Sequence, residues 1–561
     1  QLVDKTVIIG AEAGEGVMTA DADGTIAIGY TAGTAITSGQ ANVLIGFESG
    51  KAITDGDYSV GVGYQTLKAQ NKSGDAGNTA VGFKAGIAVT SGNHNVIVGR
   101  TAGFTANTMS GSVLIGAEAG KLVTTSHDCI AIGRLAMGGA TTTGDNNIAI
   151  GANAGDALTS ATNDVLIGKS AGGALNVGGD NIAIGLNALG AATNTGGVVA
   201  IGFEAGSSVN SNDANLSVFI GYQAGKSVTN GNNNTFIGYN AGTLANGHNN
   251  VALGYAAFDE TANDSSENVY IGVGAGGGND GASTSNNNVG IGRDALAGAL
   301  NGANQNTCLG SNAGSSVTSG DNNTLVGSQA GQSITTGGGH TVIGKHAMGE
   351  GSGNAITGAS NTVIGFETGY NMQGATANNT IIGKQAGINL TTGQNNLFLG
   401  NDAGVTGSPG GNKTTQSSII SLGDENIGEC NIQTDWTVAS DKRDKTDVKK
   451  LDLGLDFINK LLPVTYYWDK RIKYVDRHDP SIDLNKVTTD GTHKENQMDV
   501  GFLAQDVADI ETSYGYKIED KTNLTTSLSS DGKMYGTKYN KFVPMLVKAV
   551  QELSKQVTEQ A

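Results

Sequence analysis

One short motif recurs along most of this chain: a glycine that directly follows an isoleucine, valine or leucine. At a regular interval it recurs in 23 repeats from Gly10 to Gly400, and 12 of the 22 intervals are 17 residues long. Alanine follows the glycine by three residues in 20 repeats, and asparagine precedes it by four residues in 14. A fixed period over this length indicates a solenoid in which each repeat is one coil.

The residues that lead into each glycine alternate over too short a stretch for a helix, as in Asn147–Gly151. They predict a short β-strand that the glycine ends in a turn. Polar segments such as Thr318–Asn322 predict a second turn that closes the coil. We expect coils stacked about 4.8 Å apart, with an aliphatic ridge and a ladder of hydrogen-bonded asparagines, in a rod on the order of 110 Å long.

A coil of this size buries little by itself, and aromatic residues make up only 5% of the chain. The alanine and aliphatic columns would be better buried if several rods packed side by side. We therefore predict an all-β solenoid over residues 1–405, a parallel β-roll or β-helix, assembled as a trimer.

The charge of the chain limits its partners. Net charge is −18, and the part before residue 440 holds 31 acidic and 14 basic residues. Such a surface repels nucleic acids and anionic membranes, so no nucleic-acid partner is expected.

No apolar run approaches the roughly 18 residues of a membrane-spanning helix, and no signal peptide begins the sequence. The chain has only four prolines and no continuous repeat of Gly-x-y triplets, which excludes a collagen triple helix.

No metal or cofactor site is expected. Cys129, Cys308 and Cys430 lie more than 100 residues apart without ligand spacing and are predicted to be small buried residues. Acidic residues recur two positions after the repeat glycine, at Glu12, Glu48, Glu118, Glu204 and Glu367. This regularity predicts an exposed column, unlike the paired carboxylates of a polysaccharide-degrading enzyme.

The regularity ends after Gly404. Residues 406–439 are predicted to be a linker or cap, with a last irregular coil at Ile419–Gly423 and a strand at Asn431–Val438. Residues 440–561 have the composition of a compact α/β or α+β domain. Apolar spacing predicts a helix over Asp452–Leu462 and an amphipathic helix over Phe542–Val557, the latter suited to a bundle with copies of itself.

Four blocks of this domain resemble the C-terminal intramolecular chaperone of endosialidase tailspikes; they are Ser440–Lys445, Gly454–Trp468, Gly501–Val507 and Tyr539–Leu553. Within them, Tyr466 and Trp468 are expected in the core. The repeat resembles the heads of trimeric autotransporter adhesins and the glycine-rich repeats of phage tail fibres. The resemblance implies that the C-terminal domain assists trimerisation and then cuts itself off.

In the family this domain resembles, cleavage falls directly before the serine of a Ser-Asp-x-x-x-Lys motif, which here is the Ala439–Ser440 bond. The resemblance implies a serine peptidase that acts once, on its own chain. The Ser440 hydroxyl would attack the Ala439 carbonyl carbon, with neutral Lys445 as general base. Exposed lysines are charged near pH 7, so we expect burial beside Lys442, Arg443 or apolar groups to favour the neutral form on assembly.

The predicted function is therefore a structural, receptor-binding phage tail fibre in the virion, with a shaft that is not an enzyme. Its expected partners are two further copies of itself, a host-cell surface receptor that is a glycan or a surface protein, and other tail proteins at its N-terminal side. A bacterial surface adhesin and a polysaccharide-degrading tailspike remain alternatives.

Overall fold

The computed structural model of the chain describes residues 5–210, 215–259, 264–278, 283–349, 353–434, 436–477, 479 and 482–561. By internal contacts the chain divides into two compact units, Gln1–Ser319 and Gly320–Ala561. The repeats form a parallel β-solenoid of about 22 turns with about 17 residues per turn, which confirms the predicted fold class. No helix among the described residues is long and apolar enough to cross a membrane.

Short strands build the first unit, and strands at equivalent positions of successive turns pair in parallel register. The strands are β1 (Val7–Ile9), β2 (Ile26–Ile28), β3 (Val43–Ile45), β4 (Gly56–Asp57), β5 (Val60–Val62), β6 (Gly74–Asp75), β7 (Thr79–Val81), β8 (Val96–Val98), β9 (Val113–Ile115), β10 (Ile130–Ile132), β11 (Ile148–Ile150), β12 (Val165–Ile167), β13 (Val177–Gly179), β14 (Ile182–Ile184), β15 (Asn194–Gly196), β16 (Val199–Ile201), β17 (Val218–Ile220), β18 (Thr235–Ile237), β19 (Val251–Leu253), β20 (Val269–Ile271), β21 (Val289–Ile291) and β22 (Thr307–Leu309). Two pairs, β4 with β6 and β13 with β15, form separate short sheets.

The middle residue of a strand fills the interior of its coil. Leu44 and Phe219, for example, are fully buried, while the residues on either side of them are half-buried and face outward. The alanine three residues after the glycine is also buried, as at Ala85. The alanine column that we expected to need a neighbouring chain is therefore covered within one chain, whereas the aliphatic ridge lies on the outer face.

Two backbone features hold successive turns at close spacing. Gly46 has a φ of 137°, and a Cβ there would lie 2.2 Å from the carbonyl oxygen of Gly63 in the next turn. The predicted asparagine ladder is confirmed. Asn95 Nδ2 donates to the Met109 carbonyl oxygen at 2.8 Å, and its Oδ1 accepts from the backbone N–H of Ser112 at 3.0 Å.

Ionisable residues replace asparagine at two ladder positions. Asp164 Oδ1 accepts from the backbone N–H and the Nδ2 of Asn181, both at 3.0 Å, and burial raises the pKa of Asp164 to about 6. His340 Nδ1 accepts from the backbone N–H of Asn361 at 3.2 Å. Burial lowers the pKa of His340 to about 4.

The second unit contains six solenoid strands and a mixed C-terminal region. The solenoid strands are β23 (Thr324–Val326), β24 (Thr341–Ile343), β25 (Thr362–Ile364), β26 (Thr380–Ile382), β27 (Leu397–Leu399) and β28 (Ile420–Leu422). The region that follows has α1 (Leu455–Lys460), β29 (Val464–Tyr467), β30 (Met498–Gly501), α2 (Ala504–Ser513), β31 (Thr526–Leu528), β32 (Tyr535–Thr537) and α3 (Phe542–Gln560). β29 pairs antiparallel with β30, and β31 pairs antiparallel with β32. β28 is the last coil that the sequence predicted.

A small core holds the C-terminal region together. It consists of buried side chains from α1, α2, α3 and the segment before α1, namely Leu453, Phe457, Leu461, Val507, Phe542 and Met545. Helix α1 is shorter than predicted, because the backbone is already extended at Leu461, two residues before Pro463. Helix α3 keeps an exposed apolar stripe, in which Val543, Val547, Val550, Leu553 and Val557 are 49–64% exposed.

Three expectations are wrong in this structure. Residues 431–434 and 436–438 form no strand, and Asp435 lies outside the described residues. Cys430 is exposed, whereas Cys129 and Cys308 are buried as predicted. Trp468 is 45% exposed, because its Nε1 turns to the Asp499 carboxylate at 3.2 Å instead of entering the core.

Candidate functional site

The proposed cleavage site lies on an exposed segment. Every residue from 436 to 450 is exposed, including Ala439 and Ser440. A single 3-10 turn at Lys442–Asp444 follows, and the Asp441 side chain caps it by accepting the backbone N–H of Arg443 at 2.8 Å. The turn reverses the chain, which brings residue 445 back towards residue 440.

The turn brings the two candidate catalytic side chains together. Lys445 Nζ lies 2.5 Å from Ser440 Oγ and 3.3 Å from the Ser440 carbonyl oxygen. This is hydrogen-bonding distance for a nucleophile and its base. Both side chains are exposed in the single chain, so neither Lys442 nor Arg443 shields Lys445 from water.

The charged neighbours of the pair are arranged in a definite way. Arg443 forms an ion pair with Asp441 at 2.7 Å, and hydrogen bonds from Arg443 hold the pKa of Asp441 below its usual value. Asp444 is the neighbour that could keep Lys445 charged. In the part of the chain that the structure describes, Lys445 Nζ bonds to Ser440 and makes no ion pair with Asp444.

A buried carboxylate that the sequence analysis missed organises the domain. Glu511 on α2 is fully buried and accepts the backbone N–H groups of Leu524 at 3.1 Å and Thr525 at 2.6 Å. It also accepts the hydroxyls of Thr525 and Thr526. Its place four residues after buried Val507 on the same helix face was the only signal that could have found it.

Three of the five residues in the acidic column of the solenoid form ion pairs and are partly covered, whereas Glu12 is exposed as predicted. Glu48 binds Lys51 at 2.8 Å, Lys68 at 2.6 Å and Gln65 at 2.7 Å, which lower its pKa to about 2. Glu118 is paired with Lys121 and Arg100, and Glu204 with Lys226. A glycosidase needs one carboxyl group with a raised pKa to act as acid, and these groups have the opposite character.

Two aromatic ladders also escaped the sequence analysis; seven of their eight rings are exposed and Phe203 is half-buried. Each has four stacked rings at the position after the repeat glycine, with centroids 4.9–5.3 Å apart; they are Tyr30, Phe47, Tyr64 and Phe83, and Phe203, Tyr222, Tyr239 and Tyr255. Their regular spacing in the sequence was the available signal. Among the described residues no group of three His, Cys, Asp or Glu side chains could hold a metal ion.

Comparison with known proteins agrees with the resemblance drawn from the motifs. Residues 440–516 match the family model described as the chaperone of endosialidase, and the match begins at Ser440 itself. No curated protein sequence matches the chain. The C-terminal part of the chain is thus similar to the endosialidase chaperone family, and it follows a parallel β-solenoid of about 17-residue turns.

Proposed function

We propose that this protein is a homotrimeric fibre of the phage tail type, whose C-terminal domain assists assembly and then cuts the Ala439–Ser440 bond. The observation that carries the proposal is the 2.5 Å contact between Ser440 Oγ and Lys445 Nζ at the first residue of the family match. The solenoid that precedes the site suits a long structural shaft.

The chemistry of the cut uses only these two side chains and water. Ser440 Oγ attacks the Ala439 carbonyl carbon while Lys445 Nζ takes the hydroxyl proton. The peptide C–N bond then breaks, and Lys445 returns the proton to the departing backbone nitrogen of Ser440. Water hydrolyses the resulting ester, which leaves a carboxylate on Ala439 and a free amino group on Ser440.

Two unpaired apolar surfaces support assembly with other copies of the chain. The first is the stripe on α3, in which Val543, Val550 and Val557 recur every seven residues and are 58–64% exposed. A seven-residue repeat is the pattern by which helices pack in bundles. The second is the outward aliphatic column on the solenoid strands formed by the residue directly before each repeat glycine, such as Ile28, Ile45 and Ile150. A trimer would bury both.

Assembly would also supply what the single chain lacks at the cutting site. Ser440 and Lys445 are in contact but exposed, and an exposed lysine is a poor base near neutral pH. Removal of water from around Lys445 by neighbouring chains would favour its neutral form. Cleavage would thereby follow trimerisation.

The two aromatic ladders are where we place the contact with a host-cell receptor, a glycan or a surface protein. The aliphatic column directly before the repeat glycine accompanies the strands from β1 to β27, as a packing surface between copies should. The ladders occupy only two groups of four turns. A local feature of this kind suits a ligand better than a contact that runs along the shaft.

The test is intact-mass and native-mass analysis of the wild type beside Ser440→Ala and Lys445→Ala. We expect the wild type to yield a fragment that begins at Ser440, and both variants to stay whole as trimers. Lys449→Ala is the matched control, because Lys449 is an exposed lysine outside the turn that joins Ser440 to Lys445, and it should still be cut. A correctly folded wild-type trimer that stays whole would reject self-cleavage.

Trimerisation needs its own variant. Replacing Val550 and Leu553 by aspartate puts charge into the exposed stripe of α3 without touching the buried residues Phe542 and Met545. We expect this double variant to be monomeric and uncut. A monomeric variant that is still cut would show that Ser440 and Lys445 act without assembly.

A further inference from the structure

A buried charge cluster joins the end of the solenoid to the C-terminal region. Asp402, in the turn after β27, and Asp424 and Glu425, directly after β28, have side chains only 4–8% exposed. Arg477, which follows β29, inserts among them. Its Nη1 lies 3.0 Å from a carboxylate oxygen of Asp402 and 3.0 Å from one of Asp424, and its Nη2 contacts Glu425.

Other contacts surround this cluster. Lys470 Nζ donates to the Glu425 carbonyl oxygen at 2.5 Å. Ile472 is 5% exposed and packs on Gly407 so closely that a Cβ on Gly407 would lie 2.4 Å from it. Asp531 accepts the backbone N–H of Asn412 at 3.2 Å. The interface thus involves residues 402–425 on one side and two segments of the C-terminal region on the other.

The proposed cut does not touch this interface. The cut at Ala439–Ser440 lies between Glu425 and Lys470 in the sequence, so every contact just described crosses it. The described residues from 426 to 440 are all exposed, and Asn426, which donates hydrogen bonds to Asp424 and Glu425, lies on the solenoid side of the cut. Breaking the bond removes the covalent link and leaves the ion pairs in place.

The charges of the cluster make the two sides dependent on each other. Burial alone would lower the pKa of Arg477, but Glu425, Asp424 and Asp402 together raise it. Three carboxylates face one guanidinium, so removal of Arg477 would leave three buried negative charges close to one another. Buried charges of one sign without a neutralising charge of the other sign are strongly unfavourable.

We propose that Asp402, Asp424 and Glu425 form a docking site for Arg477 that holds the C-terminal domain on the end of the solenoid after the chain has been cut. Release of the domain is then a separate step, controlled by charge. The occupant of the site is the domain's own Arg477 segment, residues 470–477. The biological setting of the cut rests on the proposed function, but the docking itself requires only that the chain be broken between residues 426 and 440.

The test uses the full chain with Ser440→Ala and a recognition site for a specific protease inserted after Gly428, where the surroundings are open. After cutting, we expect the two fragments to elute together in gel filtration at about 0.1 M salt, and to stay together as salt is raised, because buried ion pairs are only weakly screened. Arg477→Ala should weaken the association by about 30-fold or more, and Arg477→Lys by less, because lysine keeps the charge but loses the planar fork. Arg443→Ala, an exposed arginine of the same fragment, should change nothing.

Asp402→Asn together with Asp424→Asn tests the other side of the cluster without changing its shape, and should weaken binding by about 10-fold. This variant decides the question if Arg477→Ala does not fold. Separation of the wild-type fragments at low salt, or equal retention in all variants, overturns the proposal. Because Ser440 is absent, these outcomes do not depend on self-cleavage, which the intact-mass experiment tests independently.

Discussion

The solenoid and the C-terminal region bury their polar groups by different means. In the solenoid, an asparagine at the same position of most turns repeats the same kind of hydrogen bonds, and glycine backbones touch across turns. In the C-terminal region, single residues such as Glu511 and Arg477 each satisfy several partners once. When one rung of the ladder is replaced, as at Asp164 and His340, the neighbouring turns keep the same hydrogen bonds. The contacts of Glu511 and Arg477 occur once, so no equivalent contact remains if they are lost.

The largest effect should come from the glycine backbone. In Gly99→Ala the new Cβ would lie 2.2 Å from the carbonyl oxygen of Gly116, at a φ of 141°. We expect a loss of about 4 kcal/mol in unfolding free energy, or no folded protein, measured by urea denaturation. Gly74→Ala is the control, since its φ is 65° but nothing lies within 4 Å, and it should cost about 1 kcal/mol. Equal losses would show that the cost of replacing a repeat glycine comes from its positive φ and not from contact between turns.

The next effect concerns the C-terminal region. Glu511→Ala leaves the backbone N–H groups of Leu524 and Thr525 without their acceptor. We expect a loss of about 3 kcal/mol in the stability of this region, seen as faster amide hydrogen exchange in α2 with no change in the solenoid. Glu519→Ala, an exposed glutamate of the same region, should have little effect. Faster exchange in the solenoid as well would mean that the two parts unfold together.

A stabilising change is expected in the ladder at Asp164. Its folded pKa of about 6 lies above the ordinary 3.8, so the native state binds the proton more tightly and loses stability as pH rises through the range from 3.8 to about 6. Asp164→Asn should therefore stabilise the protein by about 2 kcal/mol at pH 7, with the gain shrinking towards pH 4. Thermal unfolding across pH measures it, and the replacement of an exposed aspartate far from Asp164, Asp128→Asn, should not produce this pH-dependent gain. A gain independent of pH would mean that charge is not the cause.

His340 should show the opposite slope at the equivalent ladder position. Its folded pKa of about 4 lies below the ordinary 6.5, so the native state excludes the proton and stability falls as pH drops from 6.5 towards 4. His340→Asn should remove this loss, so that the variant gains over the wild type in acid.

The smallest effect should be the loss of one ordinary rung. Asn95→Ala removes the hydrogen bonds to Met109 and Ser112, and we expect a cost of about 1.5 kcal/mol in urea denaturation. Exposed Asn71→Ala should cost less than about 0.5 kcal/mol. A similar cost for both would indicate that neighbouring turns compensate for a missing rung.

Much of the candidate site could be predicted from the sequence, because its residues are close in the chain. Ser440 and Lys445 are five residues apart, and a single 3-10 turn is enough to join them. Trp468, by contrast, was expected in the core, and its partner Asp499 lies 31 residues away. The spacing of residues carries no information on such a contact.

By itself the sequence determined the repeating coil, its period and its asparagine ladder, because these interactions recur at a fixed interval and leave a periodic pattern. Only the tertiary structure decided which column faces inward, since a strand of three residues alternates sides and either face could have formed the interior. It alone also showed that Arg477 meets Asp402, Asp424 and Glu425 across 52 to 75 residues of chain. Long-range contacts between single residues depend on how the chain folds back, which no local pattern encodes.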